Sequence, residues 1–133
     1  MNTTYWLNNI MSTMYTNNAT GFYVGLSSSA PSVAGTGFTE PSGGNYSRVK
    51  IASFTAPTNG VVKNSAAITF PQSSQTWFES DAKAAYWLLF DGSGASAKLL
   101  SWGALDEPKT IESDTTITIA ANTLSVTLTD YSA

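Results

Sequence analysis

The chain has 133 residues, which suits one domain whose core can hold without covalent staples. It has no Cys and no His, which excludes disulfides, thiolate metal sites, imidazole general bases and the commonest metal ligand. Charged residues make up only 11%, the net charge is −3 and the six cations are scattered, so the basic stripe that nucleic acid requires is missing.

The opening Met1-Asn2-Thr3-Thr4-Tyr5-Trp6 has no basic run and no long apolar run, so neither a secretory signal nor a membrane span is expected there. Leu7, Ile10, Met11 and Met14 then fall at i, i+3, i+4 and i+7, which predicts an amphipathic helix of about three turns. Thr3 or Thr4 can cap its start, and Asn17-Asn18 offers a left-handed stop. Tyr5 and Trp6 widen the apolar face, so the helix must dock either on its own domain or on a neighbouring subunit.

Beyond the helix the period changes to two and turn residues recur. Phe22–Leu26 reads as a strand, followed by a long Gly/Ser/Pro loop from Pro31 to about Tyr46. Ser47–Phe54 alternates through Val49 and Ile51, and Asn59-Gly60 is a favoured turn dipeptide. Further strands are expected at Val61–Lys63, Ala66–Phe70, Ala85–Asp91, Leu99–Ala104, Thr115–Ala120 and Leu124–Leu128. Asp91-Gly92-Ser93-Gly94 and Ala121-Asn122 read as turns between neighbours. No stretch between strands reads as a crossover helix, which argues against a parallel α/β sheet.

The expectation is a mainly β protein: an antiparallel β-sandwich, jelly-roll or immunoglobulin-like, of seven or eight short strands with one short N-terminal α-helix. Residues 1–18 hold the helix and 19–133 the sandwich, in one compact domain. Disorder is excluded because 42% hydrophobic content with 12% aromatics can build a core. Ser and Thr, 18 of each, replace the missing charge and leave a surface that can meet other protein with little desolvation cost.

Candidate chemistry is thin. Glu79 with Asp81, Asp106 with Glu107, and Glu112 with Asp114 could each supply part of a glycosidase pair, but they sit among turn residues where solvated acids are expected. Asp91-Gly92-Ser93-Gly94 lacks the spaced ligands of a calcium loop. Serine has no His to activate it, and the Gly35-Thr36-Gly37 and Gly43-Gly44 loop leads into a strand, which a phosphate cradle does not. No catalytic residue, metal ligand or cofactor is therefore expected. Among the aromatics, Trp87 and Trp102 are expected to share a core face, while Trp77 and Tyr46 could offer a platform for a sugar ring.

The segments Phe22-Tyr23-Val24-Gly25-Leu26-Ser27, Thr39-Glu40-Pro41-Ser42-Gly43-Gly44-Asn45-Tyr46-Ser47-Arg48-Val49, Asn64–Pro71 and Leu99-Leu100-Ser101-Trp102-Gly103-Ala104-Leu105 resemble a family of short bacteriophage proteins found among virion structural genes. Glu-Pro-Ser-Gly-Gly-x-Tyr-x-Arg is its most specific piece, and Glu79–Tyr86 departs from it by being longer and more charged. The resemblance implies a virion component, tail-fibre-like or capsid-associated, assembled in the host cytoplasm without a signal peptide. It supplies no catalytic residues. Within that segment Pro41 stiffens the loop, Gly43-Gly44 permits positive φ, and Arg48 can pair with Glu40 to pin it.

The functional expectation is a non-enzymatic structural protein of a phage particle, with capsid decoration or cement as the leading role. The alternatives are a tail-associated module, fibre or tip, and a carbohydrate-recognition module touching host glycan through Trp77 and Tyr46. Its partners would be other capsid or tail subunits and further copies of itself, a trimer among the orders to consider, with no nucleic acid and no membrane. Tyr5, Trp6, Leu7, Ile10, Met11 and Met14 are the candidate assembly surface, with Glu40, Tyr46 and Arg48 as loop contacts.

Overall fold

A computed structural model describes residues 2–79 and 82–128. The helix α1 spans Thr4–Met14, with the Thr3 hydroxyl accepting from the Trp6 N–H at 3.2 Å as its N-cap. It does not stop in a left-handed turn at Asn17-Asn18. Tyr15 closes it through its N–H to the Met11 carbonyl, and a 3₁₀ turn, Thr16–Gly21, leads into the first strand. Just past the helix end Tyr15 packs with Phe22 and Phe54, tilted against the first and edge-on to the second, with ring centroids 5.2–5.6 Å apart.

Eight short strands follow: β1 Tyr23–Ser27, β2 Val49–Lys50, β3 Val61–Lys63, β4 Ile68–Thr69, β5 Ala84–Phe90, β6 Leu99–Lys109, β7 Thr118–Ile119 and β8 Ser125–Thr127. All pairings are antiparallel, in a four-stranded sheet ordered β2-β1-β5-β6 and two ribbons, β3-β8 and β4-β7, with no closed barrel among the described residues. Val24 and Leu26 of β1 and Trp87 and Leu89 of β5 share one sheet face and meet Val62, Val126, Ile68 and Ile119 of the ribbons in a single core.

Most expected strands are present but shorter as ladders than their apolar patterns. The Ser47–Phe54 segment pairs with β1 only at Val49 and Lys50, then crosses to the ribbons, where Phe54 bridges Asn64. Asn59 and Gly60 both take positive φ, 52° and 76°, in a two-residue turn closed by Thr58 and Val61.

The opposite face of the four-stranded sheet is also covered. Leu88 and Phe90 are buried there, with Phe38 of the long loop edge-on to Phe90 at 5.6 Å. Burial on both faces accounts for the unbroken apolar run of β5. Trp102 does not share the Trp87 face as expected. It stands opposite Leu88, on the loop-covered side, edge-on to Tyr86, lining a pocket with Ser32 and Val33 of the long loop and 41% exposed. The inward position belongs to Gly103, the partner of Trp87.

Candidate functional site

The loop contacts converge on β1. After Val24 the edge of β1 loses its β2 partner, and the loop takes over its hydrogen bonds. The Leu26 N–H donates to the Tyr46 hydroxyl at 3.1 Å and the Ser28 N–H to the Thr39 carbonyl at 3.1 Å. Tyr46 in turn donates to Glu40 Oε2 at 2.6 Å. Arg48 grips the same carboxylate with both arms, Nε to Oε2 at 3.0 Å and Nη2 to Oε1 at 2.6 Å. Its guanidinium lies 3.6 Å from the centre of the Phe90 ring, and Nη1 reaches the Gly94 carbonyl at 2.9 Å. Burial, then the neighbouring Glu40 charge, pushes the Tyr46 hydroxyl well above its ordinary value, and the hydrogen bonds from Arg48 to Glu40 raise the guanidinium in the same direction. Glu40, Tyr46 and Arg48 thus form an internal clamp. All three are partly buried, and their polar atoms are spent chiefly on one another.

Trp77 belongs to the same knot. It is 4% exposed, its indole N–H donates to the Gly44 carbonyl at 2.7 Å, and its ring meets Tyr46 edge-on at 5.2 Å. Gly44, at φ 62°, sits where a side chain would run into that indole. Of the two rings expected to offer a platform for a sugar, Trp77 is buried in the core and Tyr46 is partly buried against it.

The helix divides its apolar surface. Leu7, Met11 and Tyr15, spaced i, i+4 and i+8, face the domain: Met11 is buried in the core and Leu7 stands against Gly60. Asn8 Oδ1 accepts from the Gly60 N–H at 2.7 Å and the Thr16 hydroxyl donates to the Thr55 carbonyl at 2.9 Å, fixing the helix to its own chain. Trp6, Ile10 and Met14, also at four-residue spacing, form a second stripe that points away; Trp6 is 50% and Met14 55% exposed, and Tyr5 beside them is 78% exposed. Of the six candidate assembly residues, Leu7 and Met11 pack in cis, and Tyr5, Trp6, Ile10 and Met14 remain available.

The carboxylate pairs stay apart from this machinery. Glu79, Glu112 and Asp114 are exposed, Asp106 and Glu107 line a cavity beside β7, and Asp81 lies outside the described residues. Asp91 closes its turn by accepting from the Lys98 N–H at 2.7 Å. Among the described residues no group of three or more carboxylates stands close enough to hold a metal ion, and no helix is long and apolar enough to cross a membrane.

The described residues make a β-rich module with a clamped loop and a docked helix that bears a second, exposed apolar stripe. The chain belongs to the podophage GP4 fiber I protein gp80 family, whose profile matches residues 2–127. No curated protein sequence matches it. Membership of a phage fibre family makes this a virion component that meets other phage structural proteins, and it fits a tail-associated role better than capsid decoration.

Proposed function

We propose that the chain is a non-enzymatic subunit of a tail-associated phage fibre, built to assemble rather than to catalyse. The observation that carries this reading is the fibre-family match over residues 2–127. Three features support it. The sequence has no His or Cys, the loop most specific to the resemblance is locked internally through Glu40 and Arg48, and the surface carries few charges to desolvate. The stripe of Trp6, Ile10 and Met14 on α1 is the contact that a second copy of the chain would cover, giving a homo-oligomer with a trimer as the order to test first. A phage with an early stop codon in this gene tests the assignment. Full heads that keep their integrity but lack a tail appendage are expected; heads that lose DNA or burst while the tail stays complete would overturn it.

A further inference from the structure

At 11 residues β6 is the longest strand, and it forms an edge of the four-stranded sheet. Alternation fixes which of its backbone groups face outward. On β1 the Phe22 carbonyl accepts from the Ile51 N–H and the Leu26 N–H donates to the Tyr46 hydroxyl, so both point away from β5. Gly25 and Ser27 therefore bond to Leu88 and Tyr86. Trp87 and Leu89, one residue out of step, bond to Gly103 and Ser101 on the other side. That leaves the N–H and carbonyl of Trp102 and Ala104 on the open edge, where no backbone group among the described residues meets them. Edges are ordinarily blunted by charge, by proline or by a covering loop. Here the blunting stops halfway: Asp106, Glu107, Pro108 and Lys109 guard the end of β6, whereas Leu99–Leu105 carries no charge. Leu100 and Trp102 are 43% and 41% exposed on that stretch, and the fully exposed Val33 of the long loop shares an uncharged groove with them.

We infer that this half of β6 is a docking edge for an extended segment of another virion protein, added antiparallel as a fifth strand of the sheet. Main-chain bonds to Trp102 and Ala104 hold it, and apolar side chains at its alternate positions cover Leu100, Trp102 and Val33. Charge sets the rest of its chemistry. Asp106 and Glu107 stand just past the apolar stretch, exposed and without an ion-pair partner among the described residues. The incoming strand therefore carries Lys or Arg at its N-terminal end, which an antiparallel pairing brings to those carboxylates. A second copy of the chain fits less well. The cation it would bring to that place is Lys98, whose N–H and carbonyl both turn inward to Asp91, so the pairing would end short of it. This edge is separate from the α1 stripe, and it does not depend on where in the particle the protein sits.

Amide hydrogen exchange followed by NMR tests the inference, with a nine-residue peptide of two lysines followed by alternating threonine and valine as the probe. In the free protein Trp102 and Ala104 should exchange fast and Gly103 slowly, and the peptide should slow the first two. A peptide with glutamates in place of the lysines should bind about tenfold more weakly at low salt. Ala104→Pro removes an N–H that faces solvent, which an edge strand tolerates, so its melting temperature should stay near that of the parent while peptide binding is lost. Slow exchange at Trp102 and Ala104 in the free protein, no response to the peptide, or equal binding of the two peptides would each overturn the assignment, whatever the proline variant does. Slowing of the same two amides on raising the protein concentration, with no peptide present, would overturn it in favour of a second copy. Peptide binding by a protein found on the head would leave this edge standing and sink only the tail assignment.

Discussion

Trp87 lies across the bare Cα of Gly103, its cross-strand partner, so closely that a Cβ there would come within 2.6 Å of the indole. The Trp-Gly pair of neighbouring strands is therefore one packing unit: the larger ring fits because the smaller residue has nothing to displace. Gly103→Ala should cost about 1–3 kcal/mol by overpacking, and Trp87→Ala about 3–5 kcal/mol by leaving a void. Urea unfolding of both variants checks this. A Gly103→Ala protein as stable as the parent would mean that the ring is free to move aside.

The clamp gives a second expectation. Arg48→Ala leaves the partly buried Glu40 carboxylate with Tyr46 as its remaining partner, and should cost about 1.5–3 kcal/mol. Tyr46→Phe removes the acceptor for the Leu26 N–H and should cost about 1–3 kcal/mol. Both should loosen the loop over Phe90 before the core, visible as faster amide exchange at Leu26 and Ser28.

Alkaline stability follows from the same residue. The folded-state pKa of Tyr46 is raised above its ordinary 10.0, so the native state holds that proton more tightly than the unfolded chain. The resulting stability is complete below about pH 10 and drains away as pH rises further. Tyr46→Phe should flatten most of this slope. A smaller part should remain, because burial raises Tyr15 in the same direction.

The two stripes of α1 should separate in mutants. Met11→Ala should cost about 2–5 kcal/mol, since Met11 is part of the core. Trp6→Ser with Met14→Ser should change stability by only about 0.5 kcal/mol per site but abolish self-association measured by analytical ultracentrifugation. That association should respond weakly to ionic strength, because the stripe carries no charge.

Much of this was legible in the residues. The helix and its Thr3 cap, the Asn59-Gly60 turn, the pairing of Glu40 with Arg48 and the Trp87–Leu89 face all follow from local chemistry and period. Trp102 was not, because alternation tells which residues share a face but not which face is the core, and β5 is buried on both. Nor was the cavity. It is lined by residues of β5, β6 and β7 that lie far apart in sequence, and alternation within any one strand carries no sign of it. The place of Trp77 was not legible either: one polar and one apolar neighbour, Thr76 and Phe78, decide nothing, and its N–H finds its acceptor inside at the Gly44 carbonyl.

Immunogold electron microscopy of intact particles, with antibody raised against this chain, tests the central assignment most directly. A fibre subunit places the gold at the tail, at one site per particle or in a small cluster around it. Gold spread over the faces of the head, with none at the tail, would contradict the account.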